Sequence, residues 1–272
     1  MKKITRFTAI IMALILSVSV FSACGNKNNS DSDWEYIQSK GKMVIGYTVF
    51  EPMNYTDDSG KLTGFDTEFA EAVCKYLGVT PEFVEINWDT KVAEIDAKSI
   101  DCIWNGMTIS DDLKENIAIS VPYVKNMQVI VIDSANADTY KDTESLKDAT
   151  LVAEAGSAGE NVIAADENLS QATYISVTRQ VDALLEVKSG TSDAAVLDWT
   201  LAQNMIGEGT DYADLQMIDG VELSVEEYGI GFRKGSDTCD KVNEAIKALA
   251  EDGTLQTLAE KYGLSLSPEL TK

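Results

Sequence analysis

Three short stretches carry residue types suited to chemistry at the end of a β-strand. Asn105-Gly106-Met107-Thr108 follows the apolar run 101–104 (DCIW) and leads through Ser110 into the acidic pair Asp111-Asp112. Gly156-Ser157-Ala158-Gly159 follows 150–154 (TLVAE) at one residue's distance, and Asp198 directly follows 193–197 (DAAVL). A glycine turn that opens a helix leaves backbone N–H groups pointing outward, an arrangement that attracts anions. The first stretch has that form without the charge, because its helix begins Asp, Asp, Leu and its first base is Lys114. Ser110 or Asp111 is equally suited to a plain N-cap of the helix running toward Ile117. The second stretch lacks the lysine of a P-loop. Asp198 offers its charge to a cation or its oxygen to the start of the next helix.

The elements that must position these residues follow from the hydrophobic pattern. Runs 43–47 (MVIGY), 82–86 (EFVEI), 101–104, 128–132 (QVIVI), 150–154, 173–177 (TYISV) and 193–197 read as strands. Asn105-Gly106 reads as a turn. Helical patterns lie between several strands. In GFDTEFAEAVCKYLG, Phe65, Phe69, Val73, Tyr76 and Leu77 share one face, Asp66 is placed to cap and Gly78 to stop the helix. VTRQVDALLEVKSG and TCDKVNEAIKALAEDG are similar and also end at glycine. Strands and helices in alternation, with near-continuous apolar strands, imply α/β architecture with parallel sheets covered on both faces. Such sheets bind ligands beyond the carboxyl ends of their strands, where the three stretches lie.

Bulk properties narrow the chemistry. Lys+Arg 22 against Asp+Glu 45 gives a net charge of -23 over 272 residues, with no histidine. Phosphate recognition needs a basic face, so no nucleic-acid partner is expected. The charge favours cations and amines at long range. Without histidine, the commonest general base and metal ligand is missing, which argues against an enzyme. Cys74, Cys102 and Cys239 lack metal-ligand spacing, and Cys74 and Cys102 read as core residues, so neither metal nor cofactor is expected.

The amino-terminal segment reads as an address. Lys2, Lys3 and Arg6 precede the apolar run 7–21, which is short for a membrane span of ~20 residues. Phe21-Ser22-Ala23-Cys24 resembles the bacterial lipobox, with Phe21 where leucine is usual. The resemblance implies a signal peptide at 1–23, lipidation of Cys24 and a polar tether over 24–33.

Taken in order, VIGYTVFEPMNYTDDSGKLTGFDTEFAEAV, WDTKVAEIDAKSIDCIWNGMTISDD, SVPY, GSAGE, SDAAVLD, YGIGFRKGSD and DGTLQTLAEKYG resemble a known family. They are similar to the extracellular solute-binding proteins (family 3) that feed polar amino acids to ABC importers. The similarity runs from about Met43 to Gly263. It implies a two-lobed periplasmic-binding-protein-like (type II) fold, with two parallel-dominated sheets and a hinge. Lobe 1 is expected at 34–130 and 221–272, and lobe 2 at 131–220. The implied partners are a small-molecule solute, an ABC permease and, through the lipid anchor only, the membrane; the chain is expected to be a monomer.

The same resemblance assigns site residues. Phe50 and Trp88 are expected against the ligand as apolar walls. Gly106 is expected to offer its carbonyl to the ligand's ammonium, Thr108 its N–H and hydroxyl to a carboxylate, and Asp198 its charge to the ammonium. Leu113 stands where the family usually carries an arginine that clamps the ligand's α-carboxylate, and Ala158 where it usually carries a hydroxyl. Losing one partner of a buried charge pair typically costs ~2–5 kcal/mol, roughly 30- to several-thousand-fold in affinity. Glu154 falls where relatives touch the ligand's side chain, and Glu51 replaces a small residue beside Phe50. With Asp198 these acids suit a cationic ligand.

Two cargoes are thus in play. One is an amine-bearing or cationic solute without a clamped carboxylate. The other is an amino acid whose carboxylate meets a relocated base, with Arg179 the first candidate and Lys125 and Lys91 after it, or meets the helix N-termini at Thr108 and Ala158. A dehydratase-like enzyme on the same fold and a sensor domain are the less favoured alternatives.

Overall fold

The computed structural model describes residues 32–271. The signal peptide, Cys24 and the tether as far as Asp31 lie outside the described residues. The tether's expected last residues do not fit that reading. Ser32 caps helix α1 (Asp33–Lys40), accepting from the Glu35 N–H and donating to Asp237 at 2.5 Å.

After α1 come β1 (Lys42–Tyr47), β2 (Tyr55–Thr56), β3 (Leu62–Thr63), α2 (Phe65–Leu77), β4 (Thr80–Glu85) and α3 (Lys91–Asp96). Next are β5 (Cys102–Thr108), α4 (Asp111–Asn116), β6 (Ala118–Ile119), β7 (Val124–Asp133), β8 (Thr150–Glu154) and α5 (Ala158–Ala165). Then follow β9 (Thr173–Val177), α6 (Gln180–Lys188), β10 (Ala194–Asp198), α7 (Trp199–Met205) and β11 (Leu215–Met217). Finally come β12 (Ser224–Phe232), α8 (Thr238–Glu251) and α9 (Thr254–Tyr262). All seven expected strands are present. β12, which carries YGIGF, was not read as a strand from its pattern.

A ten-stranded sheet runs β4-β1-β5-β12-β7-β10-β8-β9, with β6 on β12 and β11 on β7. Its two wings are parallel: β1 pairs β4 and β5, and β8 pairs β9 and β10. The centre is antiparallel, because β7 carries the chain out of one wing and β12 brings it back. The two expected parallel-dominated sheets therefore meet edge to edge through this crossing pair. Strands β5 and β10 are buried along nearly their whole length, as expected of strands covered on both faces. Cys74 and Cys102 sit in the largest apolar cluster, and all three described cysteines are free and buried. Among the described residues no helix is long and apolar enough to cross a membrane, and no group of three acidic, cysteine or histidine side chains is placed to hold a metal ion.

Two local expectations are corrected. Asn105-Gly106 is not a turn but part of β5, inside a bulge against β12, where the register jumps from Met107↔Gly229 to Ile103↔Gly231. The bulge absorbs the glycine's φ of +53°, and a Cβ there would lie 2.6 Å from the Phe50 ring. Asp66 does not cap α2, whose N-cap is Gly64 without a side-chain bond. Its carboxylate turns inward and accepts from the Gly106 N–H (2.6 Å) and the Tyr123 hydroxyl (2.9 Å). Gly78 does stop α2 in the left-handed region.

Candidate functional site

The wings close on a cleft lined by the ends of β5, β8 and β10 and by the starts of α3, α4, α5 and α6. Asp198 ends β10 beside Gln128, its cross-strand neighbour on β7; Asn126, two residues back on the same face of β7, stands opposite Glu226 on β12. Residues two apart share a face and cross-strand pairs are neighbours, so the pairing alone gathers these four side chains.

Asp198 occupies the N-cap position of α7 but makes no side-chain cap bond. Its carboxylate is 4% exposed and accepts from Asn126, from Gln128 at 3.0 Å, from Tyr228 at 2.9 Å and from Gln180. Gln180 also accepts from the Asp198 N–H at 3.0 Å. Glu226 accepts from Asn126 (2.6 Å), Gln128 (2.8 Å) and the Thr108 hydroxyl (2.8 Å). The two acids therefore share the same amide donors. Burial, and then the charge of Glu226, raise the Asp198 carboxyl to about 8.

Glu154 ends β8 and lines the cleft, 2% exposed, and its Oε1 has no hydrogen-bond partner in the protein. Burial raises its carboxyl to about 8, with Asp198 adding to the shift and Lys91 opposing it. The Gln128 Oε1 is a second buried acceptor without a partner. Of the two, only Glu154 lines the cleft, whose base thus holds one acceptor that the protein leaves without a donor.

Two of the helix starts on the rim, those of α4 and α5, are capped by their own side chains. Ser110 caps α4 by accepting from the Leu113 N–H at 3.2 Å, so the plain capping role is the one Ser110 takes. Ser157 accepts from the Glu160 N–H at 3.2 Å, while the Glu160 carboxylate reaches back to the Gly156 N–H at 2.6 Å. This reciprocal arrangement, close to a capping box, places a carboxylate where an anionic ligand would compete. Leu113 and Trp88 line the cleft and belong to one apolar cluster.

Lys91 is the one basic side chain among the described residues lining the cleft. Its ammonium lies over the Trp88 ring at 4.8 Å and donates to the carbonyls of Trp88 (3.2 Å) and Gly156 (2.7 Å). The second bond joins the wing that holds β5 to the wing that holds β8. The approach there is close: a Cβ on Gly156 would lie 2.9 Å from the Asp89 Cα. Burial lowers the Lys91 pKa, opposed first by Glu154 and then by Asp89, Glu160 and Asp112. The cleft has a volume of ≈ 80 Å³. That is about half the ~150 Å³ of an engineered cavity that takes up benzene, so a solute of amino-acid size requires the wings to part.

The structure therefore brings Trp88, Gly106, Thr108, Leu113, Glu154, Ala158 and Asp198 to one cleft. Three expected residues lie elsewhere. Phe50 is 2% exposed and packs edge-on against Tyr228 at 6.3 Å, filling the space that the absent Gly106 side chain leaves. Glu51 is half-buried outside the cleft lining. Arg179 forms a two-pronged pair with Asp182 at 3.1 Å one turn along α6, and its side chain is 41% exposed. Thr108 is in place, but its hydroxyl proton is committed to Glu226. Sequence reasoning missed Glu226, Asn126, Gln128 and Gln180. The only signal was a period-two set of polar residues, 126 with 128 and 224 with 226, beside apolar strand cores.

Residues 43–265 match the bacterial extracellular solute-binding proteins, family 3. Over 256 residues the chain is 28% identical to the L-cystine-binding protein TcyJ of Escherichia coli (strain K12), covering 93% of this chain and 92% of that relative. An ABC uptake transporter substrate binding protein from Streptococcus pneumoniae, solved with bound histidine, gives a TM-score of 0.76 at 29% identity, covering 86% of this chain and 97% of that one. The ancestral amino acid-binding protein AncCDT-1, a precursor of cyclohexadienyl dehydratase, gives a TM-score of 0.76 at 31% identity, covering 85% of this chain and 99% of that one. The two-lobed α/β fold expected from the sequence is the fold these structures share.

Proposed function

The chain belongs to the bacterial extracellular solute-binding proteins, family 3, and from that premise we propose that it is the capture protein of an ABC importer. It holds an amino acid or a related amine-bearing solute in the cleft and delivers it to a permease. The observation that carries this reading is the acid-rich base of the cleft. Asp198 is buried there beside Glu154, whose Oε1 lacks a protein partner. A buried carboxylate is costly without a donor, and a solute ammonium supplies one. Gly106 lines the same recess and can offer its carbonyl as a further acceptor for its protons.

Lobe 1 in this reading is 34–130 with 221–272 and lobe 2 is 131–220, hinged where β7 and β12 cross. The chain works as a lipid-anchored monomer, with Cys24 as the modified residue. It binds without turning its ligand over, a reading supported by the charge-binding set that lines the cleft.

The test is calorimetric titration of the mature domain, unfolded and refolded to remove carried-over ligand. Each amino acid is set beside its decarboxylated amine and its N-acetyl derivative. Free amines are expected to bind and N-acetyl derivatives to fail; equal binding of the acetylated forms would sink the assignment of Asp198. Labelling cells with a fatty-acid analogue, with C24A as control, checks the anchor. Conversion of any bound probe would point back to an enzyme.

A second reading, a cationic amine without a held carboxylate, draws on Leu113 and Ala158. Neither side chain can pair a carboxylate, and the N–H groups of Leu113 and Gly156 are already used.

A further inference from the structure

We propose that Lys91 holds the solute's carboxylate in place of an arginine at position 113, so that the cleft selects an amino acid over the corresponding amine. This deepens the proposed function and rests on it, since it takes the cleft as the solute site.

Of the three bases considered from sequence, two are badly placed. Arg179 is paired with Asp182 and lies outside the cleft lining. Lys125 is exposed; its neighbour Asn126 faces the acid cluster, so Lys125 points to the other side of β7. Lys91 is 7% exposed and lines the cleft. Its two hydrogen bonds go to neutral carbonyls and neither goes to a carboxylate. An ammonium has three N–H donors, so one remains for a further acceptor. A buried cation whose only hydrogen bonds go to neutral carbonyls gains from an anionic acceptor for its remaining N–H.

Location agrees with charge. The Lys91 ammonium stacks over Trp88, and Lys91, Trp88 and Leu113 line the same cleft, so the lysine presents its charge to the recess that position 113 also lines. It also touches the turn before Ser157 and Ala158 through the Gly156 carbonyl. The relocation comes from the turn at Trp88–Thr90, which ends where α3 begins with Lys91. With Asp198 and Glu154 giving up their protons as a solute ammonium arrives and Lys91 in the same lining, the occupied cleft presents both signs of charge. That is the complement of a zwitterion. A plain amine would satisfy the acids and leave Lys91 without a hydrogen-bonded anion; a diamine would set a second cation against it.

The experiment titrates three matched pairs, L-arginine with agmatine, L-lysine with cadaverine and L-histidine with histamine, and then the remaining amino acids with their amines. It uses wild-type, K91M and K91R proteins, each checked for cooperative thermal unfolding. Wild type is expected to prefer the acid of the pair it binds by about 30-fold or more, the scale of a lost buried charge partner. K91M should weaken the acid by a similar factor and leave its amine within about threefold, while K91R should keep the preference, because the charge remains. Two results would overturn the assignment while leaving amine capture intact: amines binding wild type as tightly as acids, or K91M weakening both members equally, as loss of a mere closing contact to Gly156 would. Because the first needs no variant, poor folding of K91M does not remove the test. If no amine-bearing probe binds the refolded wild type, the proposed function itself fails, and the role of Lys91 with it.

Discussion

Asp198 and Lys91 line the same cleft, yet their surroundings differ in kind. Asp198 is held by four neutral donors, from Asn126, Gln128, Gln180 and Tyr228, all supplied by the fold itself. Lys91 has only two backbone carbonyls, and Glu154 leaves an oxygen without any partner. A carboxyl with a full set of protein donors is fixed in place before any solute arrives. A charge short of partners keeps part of its desolvation cost until a solute supplies the missing bond. The comparison separates the residue that orients from the residues whose bonds are completed on binding.

The largest effect is expected from Asp198→Asn. The amide keeps the shape but removes the charge, and affinity for an amine-bearing solute should fall by ~2–5 kcal/mol, the usual range for breaking a buried charge pair; titration at fixed pH measures it. If binding survives within twofold, Asp198 is only a structural acid.

The next effect concerns pH. Glu154 has a carboxyl raised from 4.5 to about 8, and Asp198 one raised from 3.8 to about 8. In the solute-free protein these groups stay protonated where the unfolded chain has already ionised them. Stability present below about pH 4 is therefore lost as pH rises through about 8, by on the order of a few kcal/mol. Thermal unfolding from pH 5 to 9 should show this decline, and Glu154→Gln should flatten it. Binding of an ammonium solute near pH 7 should release protons, seen as a dependence of titration heat on buffer ionisation enthalpy. A flat unfolding profile would mean that both carboxyls find partners the structure does not show.

Smaller still, Thr108→Val removes one hydroxyl bond to Glu226 and should cost ~1 kcal/mol of stability. A larger loss of affinity than of stability would make Thr108 a ligand contact. Smallest is Arg179→Ala. Its exposed pair with Asp182 is worth ~0–1 kcal/mol, and solute affinity should stay within about twofold. A tenfold loss would return Arg179 to the site.

Strands β5, β8 and β10 were legible because burial on both faces writes continuous apolar runs, and Gly78 announced the end of α2 because only glycine takes a left-handed stop without strain. Asp198 and Glu154 were reachable from sequence, since strand ends and the family resemblance both point to them, and Trp88 through the resemblance alone. Asp66 was misread because capping is a local argument, and the Gly106 N–H that draws it inward is 40 positions away. Phe50 lies behind Gly106 rather than in the cleft lining, and an aromatic beside a cleft looks the same in sequence whether it faces a solute or fills the space behind a glycine.

The sequence by itself determined the α/β alternation, the acidic charge, the departures at Leu113 and Ala158, and thereby the question of what meets a carboxylate. Only the tertiary structure decided the answer's candidates. Local patterns record burial and capping, which depend on near neighbours. The pairing of β7 with β12 brings Asn126 and Gln128 against Glu226 across roughly a hundred positions. The closure of one wing on the other sets Lys91 on the Gly156 carbonyl, 65 positions away. Contacts at that separation arise from chain topology, which no short window of sequence encodes.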